Sequence, residues 1–266
     1  MDSAKARQHG TLQIGIFADN LKLPLRDGIR KAAELGVASF QRYTSSGEVL
    51  PEHMSGPERS AFRRFYEGLG LQLSATCADF GHGFVDAQRN EEMVPRLYAQ
   101  VDLALDLGAK IITTHIGTVP AERNTVWETL RTALNRIGAY AEKKGVVLAT
   151  ETGPEPGPVL RDLLLALDTS AIRVNLDPAN LVMYGFDLDE ALDALLPYVV
   201  HTHAKDGLRG PGPFREVPLG KGDVPWPHYV ARLKAAGYRG AFTIEREQGE
   251  DPIGDTQKAI EFLRQF

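Results

Sequence analysis

Two hydrophobic periods alternate along this chain. At helical spacing, Phe62, Phe65, Tyr66 and Leu69 form one apolar stripe, Val94, Leu97, Val101 and Ala104 a second, and Leu130, Leu134, Ile137 and Ala141 a third, with charges on the other faces. Between such stripes lie short apolar runs, many of them β-branched, that predict strands: LQIGIF, ASFQRY, LQLSAT, KIITTH, VVLATE, IRVNLD, YVVHTH and AFTIE. Five junctions share one form, namely KAAELGVASF, YEGLGLQLSA, LDLGAKIITTH, EKKGVVLATE and KAAGYRGAFTIE. In each, a helix end meets a glycine suited to the left-handed position past the last turn, and a strand follows. The glycines are Gly36, Gly70, Gly108, Gly145 and Gly237, and the first four are nearly evenly spaced. A strand and helix repeating eight times, with no Pro/Ser-rich linker, predict an α/β fold. A single (β/α)8 TIM barrel over residues 1–266 fits better than a doubly wound open sheet. Chemistry is then expected at the C-terminal ends of the strands.

The last four predicted strands end in Glu151, Asp177, His203 and Glu245. Equal intervals separate the first three, so each repeat delivers one metal-ligating residue type to the same end of the barrel. Three carboxylates brought close together repel and raise one another's pKa unless a cation holds them. A bound divalent metal is therefore expected. The stretch VVHTHAKDG carries two histidines whose side chains share a strand face. His203 lies at the strand mouth, and His201 lies one inward position lower, roughly 6.6 Å down the strand. His201 is expected to orient the site through hydrogen bonds from below, on a polar rung with Asn175 and Thr243 that Ala149 interrupts.

Charge narrows the function. The net charge of -5 and pI of about 5.8, with no Lys/Arg cluster, argue against a nucleic-acid partner. A lone cysteine, Cys77, rules out an internal disulfide. No apolar run is long enough for a membrane helix, and MDSAKARQHG lacks an apolar targeting core. A cytoplasmic protein with no membrane partner is expected, and a homo-oligomer is compatible with the sequence. GKG at 220–222 is too short for a phosphate loop.

Taken together, ETGPEPG, NLDPANLVMYG, HTHAKDG, REVPLGKGDVPW and GAFTIEREQG make the chain resemble the sugar phosphate isomerase/epimerase superfamily over nearly its whole length. These are xylose isomerase-like TIM barrels that include ketose 3-epimerases, hydroxypyruvate isomerase and inosose dehydratase, with endonuclease IV as a distant relative. The resemblance implies that His203, from the H-x-K-D segment, ligates the metal with Glu151, Asp177 and Glu245. It also implies that Glu151 and Glu245 double as the acid/base pair. The chain departs from the ketose 3-epimerases at Asn180, where they carry a substrate-binding histidine. Their glutamate soon after the first ligand has only Glu155 as a counterpart. Arg215 matches their arginine and is expected to bind hydroxyls or an anionic group.

His115 and Lys205 are further candidates for lining the pocket, although Lys205 could instead cap the turn at Asp206 and Gly207. His53 and His82 sit on predicted loops. The expected activity is a divalent-metal-dependent sugar isomerase or epimerase acting on a keto sugar or sugar derivative, with glutamates moving the proton through an enediolate that the metal stabilises. Mn²⁺ is the expected ion and Mg²⁺, Co²⁺ or Zn²⁺ the alternatives. The rival readings are a lyase or dehydratase acting on a keto sugar or 3-keto glycoside, an endonuclease IV-like phosphodiesterase, and a non-catalytic sugar-binding barrel.

Overall fold

The computed structural model describes residues 12–210 and 215–266, so the N-terminal MDSAKARQHG lies outside the described residues. Seven barrel strands come first: β1 (Gln13–Phe17), β2 (Ser39–Tyr43), β3 (Gln72–Cys77), β4 (Ile111–Thr114), β5 (Val147–Glu151), β6 (Ile172–Leu176) and β7 (Val199–Ala204). A small antiparallel pair follows, β8 (Asp206–Gly207) and β9 (Glu216–Val217), and then the eighth barrel strand, β10 (Ala241–Ile244). Each barrel strand lies beside its sequence neighbours, and β10 closes onto β1. All pairings in the barrel are parallel. The eight expected runs are the eight strands, and the architecture is a (β/α)8 barrel.

Local chemistry sets where the helices begin and end. The Asp86 carboxylate accepts from the backbone N–H groups of Gln88 and Arg89 and so starts the helix Ala87–Asp106. Asn124 does the same for Thr125–Lys144 through Trp127, and that helix stops at Gly145. All five junction glycines have positive φ, from 67° to 86°, where a β-carbon would be strained. The second and third stripes are core: Val94, Leu97, Val101, Ala104, Leu130, Leu134, Ile137 and Ala141 are all 0% exposed. The first stripe needs correction at one end. Phe62 and Tyr66 are buried, but Leu69 is exposed because it caps the helix Gly56–Gly68 instead of completing its last turn. No helix among the described residues is long and apolar enough to cross a membrane.

Inside the barrel, Gln41, Thr113, Asn175, His201 and His203 are fully or almost fully buried. Buried polar groups of this kind need partners. The partners they find are one another, and this network leads to the site.

Candidate metal centre and active site

Glu151 ends β5, Asp177 follows β6, His203 lies near the end of β7 and Glu245 follows β10. Their ligand atoms all lie within 4.8 Å of one another, and all four residues are buried. His203 Nδ1 is 3.3 Å from Glu245 Oε2, 3.4 Å from Glu151 Oε1 and 3.7 Å from Asp177 Oδ2. Asp177 does two jobs. Its Oδ1 accepts from the N–H groups of Ala179 and Asn180 at the start of the helix Pro178–Met183, which fixes the carboxylate. Its Oδ2, buried and turned toward the cluster, accepts no hydrogen bond among the described residues. A buried, unpartnered carboxylate oxygen facing two more carboxylates and an imidazole nitrogen is the donor set a divalent cation completes, so the residues fit the expected metal.

The electrostatics show the same crowding. Burial raises the Asp177 carboxyl above the usual range, and the neighbouring Glu151 and Glu245 charges add to that. Burial also acts to raise Glu245, but the charges of His203 and Lys205 outweigh it and hold Glu245 far below the usual range. For Glu151 burial is again opposed, chiefly by His203 and His115, and the net direction is down. Burial acts to lower His203, while Glu245 and Glu151 raise it well above an ordinary histidine. A proton on His203 thus offsets part of the cluster's negative charge.

Hydrogen bonds fix the imidazole. His203 Nε2 lies 3.0 Å from Gln41 Oε1, and Gln41 Nε2 donates to Thr113 Oγ1 at 2.8 Å. Because Gln41 Oε1 only accepts, Nε2 carries the hydrogen, and Nδ1 faces the carboxylates. His201 does not enter the cluster. Its Nδ1 bonds to Asn175 Oδ1 at 2.8 Å and its Nε2 to Thr243 Oγ1 at 3.0 Å. The rung of Asn175, His201 and Thr243 therefore exists as hydrogen bonds, and Asn175 Nδ2 reaches up to Glu151 Oε2 at 3.4 Å.

A cavity of about 270 Å³ opens above the cluster, lined by Glu151, Glu245, His115, Asn180 and Lys205 among others. Asn180 Nδ2 donates to Glu151 Oε1 at 3.0 Å and so holds a proposed ligand in place. Lys205 does not cap the turn: its Nζ donates to Glu245 Oε2 at 2.8 Å and Glu247 Oε2 at 2.5 Å. The turn is held by Asp206 instead, whose carboxylate accepts from the N–H groups of Gly207, Gly220 and Val224 and from Trp226 Nε1. GKG belongs to this latch, and a β-carbon on Gly222 would lie 2.1 Å from Asp206 Oδ1. His115 bonds to Asp79 Oδ2 at 2.8 Å, and the nearby Glu151 charge helps push it up to about 9. His53 and His82 are exposed, on loops as expected.

One expected residue, Arg215, stands elsewhere. Arg215 is exposed, with its guanidinium beside Gly210, and is not among the residues lining the cavity. Glu155 is buried but also absent from the lining, and its Oε2 accepts from the Val119 N–H at 3.1 Å. Burial pushes its carboxyl from 4.5 up to about 7, against smaller opposing effects of that N–H and of His115. A raised carboxyl is unfavourable to the fold only when ionised. The penalty is absent below pH 4.5, grows as pH rises toward 7 and is complete above it. Glu155→Gln should therefore be more stable than the parent at pH 8 by on the order of 3 kcal/mol, and close to it at pH 4.5. Urea unfolding at the two pH values checks this, and equal differences would count against the assignment.

Sequence reading missed Gln41, Asp79, Glu216 and Glu247. Glu247 carried a signal, as a second acid two residues past Glu245 at the same strand end. Gln41 carried a weaker one, as a polar residue beside Phe40 in a strand.

A family model described as xylose isomerase-like TIM barrel matches residues 29–266. A xylose isomerase domain protein from Planctomyces limnophilus is 28% identical, with a TM-score of 0.84 over 96% of each chain. A xylose isomerase-like TIM barrel protein from Mycobacterium smegmatis in complex with magnesium is 18% identical, with a TM-score of 0.77 over 100% of this chain and 98% of that one. L-ribulose-5-phosphate 3-epimerase UlaE of Shigella flexneri is 34% identical over 90 residues, which are 33% of this chain and 31% of the epimerase. With this barrel and these matches, the chain belongs to the xylose isomerase-like TIM barrel family.

Proposed function

We propose that the protein is a divalent-metal-dependent isomerase or epimerase of a keto sugar or sugar derivative. The observation that carries this reading is the buried set Glu151, Asp177, His203 and Glu245, whose two glutamates also line the cavity above it. The family membership, the similarity to an epimerase and the magnesium of the M. smegmatis protein support it. The four residues would hold the cation, Mn²⁺ by the oxygen-rich donor set, with Mg²⁺, Co²⁺ or Zn²⁺ as alternatives. When bound, it would supply the Lewis acidity that makes a carbon next to a carbonyl acidic enough to lose its proton.

The chain's own residues do the rest. Glu151 and Glu245 stand at the ends of β5 and β10, with β6 and β7 between them, so a substrate can lie between two carboxylates. His203 and Lys205 hold Glu245 in its ionised form, the form from which a proton acceptor must start. Asn180 fixes the orientation of Glu151. Incubation with free ketoses and 3-keto glycosides in deuterated water should place deuterium on the carbon next to the carbonyl and yield an epimer or isomer. An elimination product would reassign the enzyme to the lyases, and unlabelled product would exclude proton transfer with solvent.

Metal should also stabilise the fold. Chelator is expected to lower the Tm, and Mn²⁺ at about a hundred times its Kd to restore roughly 2.7 kcal/mol, because it binds the folded state alone. A melting curve indifferent to both would contradict the proposed site.

A further inference from the structure

Glu216 occupies a place built for an anion. It belongs to β9, its side chain is 2% exposed, and it is among the residues lining the cavity. Its Oε1 accepts from Arg246 Nη1 at 2.6 Å, and its Oε2 accepts from the backbone N–H groups of Glu247 and Gln248 at 3.2 Å each. A guanidinium beside two consecutive backbone N–H groups is a nest for a phosphate or carboxylate. Here the protein fills that nest with its own carboxylate. Arg246 is held from the other side by Asp255, 2.9 Å from its Nε.

Among the described residues, the cations that line the cavity, Lys205 and His115, already have carboxylate partners. Lys205 is bound to Glu245 and Glu247, and His115 to Asp79. An anionic substituent would have to displace Glu216, or compete with the carboxylates that already hold Lys205 and His115 while lying beside Asp79, Glu216 and Glu247, and like charges brought together in a site strongly suppress binding. The rest of the lining, including Phe17, Met183 and Tyr184, suits the C–H faces of a sugar.

Building on the proposed isomerase or epimerase reading, we infer that the site takes a neutral polyhydroxy ketone and rejects one carrying phosphate or carboxylate, with Glu216 as the specificity-determining residue. The test compares D-fructose with D-fructose 6-phosphate, and further ketoses with their phosphate esters. Two quantities are measured: kcat/KM for solvent-deuterium exchange with Mn²⁺ present, and the Tm shift each ligand produces. The wild type should favour the free ketose by roughly a hundredfold or more and show no Tm shift with the ester. Glu216→Ala should open the nest, move the ratio toward the ester by at least about tenfold and create an ester-dependent Tm shift. Glu216→Gln, which keeps the shape and removes the charge, should fall between them. Should Glu216→Ala fail to fold, the wild type and Glu216→Gln still decide the matter. Wild-type exchange on the ester as fast as on the free ketose overturns the inference and leaves the catalytic reading standing. An unchanged ratio in both variants also overturns it. Exchange with no sugar in any variant removes the catalytic reading, and this inference with it.

Discussion

Replacing either Glu151 or Glu245 with glutamine should suppress solvent-deuterium exchange at the substrate carbon by about 10² to 10⁴, the usual worth of a positioned general acid or base. Glutamine keeps the shape and one oxygen donor, so each variant should still bind metal at saturating Mn²⁺. It cannot accept the proton. The two variants differ in what they leave behind. In Glu245→Gln, Lys205 keeps its bond to Glu247, so its charge remains paired. In Glu151→Gln, the remaining side-chain oxygen can keep the 3.0 Å bond from Asn180, and only the longer 3.4 Å contact from Asn175 is given up. Neither change leaves a bare buried charge, and loss of rate should therefore exceed loss of stability. Exchange is measured by NMR at several Mn²⁺ concentrations, so that metal depletion is separated from lost proton transfer. If only one variant stops exchange at the reacting carbon, a single base serves both faces; if neither does, the assignment of the pair is wrong.

The second large effect separates the histidines. His203→Ala should all but abolish metal binding, because it removes a proposed ligand from the centre of three carboxylates. Gln41→Leu should weaken metal binding by about 10- to 100-fold, since it releases the Nε2 hydrogen bond that presents Nδ1 to the site. His201→Ala should leave metal bound. It should instead cost about 2–4 kcal/mol in stability, through a buried cavity and unpaired groups on Asn175 and Thr243. Metal analysis after dialysis, beside denaturant unfolding of each variant, gives both numbers. Equal metal loss in the two histidine variants would overturn the assignment by height along the strand.

Much of this protein was legible before any coordinates. Five of the helix-to-strand junctions are local events, decided by a glycine that tolerates positive φ and by the hydrophobic period on either side. Those junctions, with the apolar runs of the other three strands, gave the eight strands and with them the barrel. Glu151, Asp177, His203 and Glu245 were also readable as a group, because a repeat that ends each strand at the same barrel face converts one residue per strand end into proximity in space. Strand parity placed His201 below His203 for the same reason.

What the sequence left open were choices between side chains far apart in the chain. Lys205 could cap its own turn or reach into the site, and the acids after β10 decided it by offering Glu245 and Glu247 at bonding distance. Arg215 and Glu155 sit in loops whose course no period governs: Arg215, matched to an arginine of the epimerases, is not among the residues lining the cavity, and neither is Glu155, the only counterpart the loop offered for their second glutamate. Gln41, 162 residues from His203, and Glu216, some thirty residues from Arg246 and the backbone it caps, gained their roles only when barrel closure brought β2 against the centre and β9 beside the segment that follows β10. Local periodicity sets which way a residue points; which partner it meets depends on long-range packing, and that is where the tautomer of the metal-facing imidazole and the filling of the anion nest were decided.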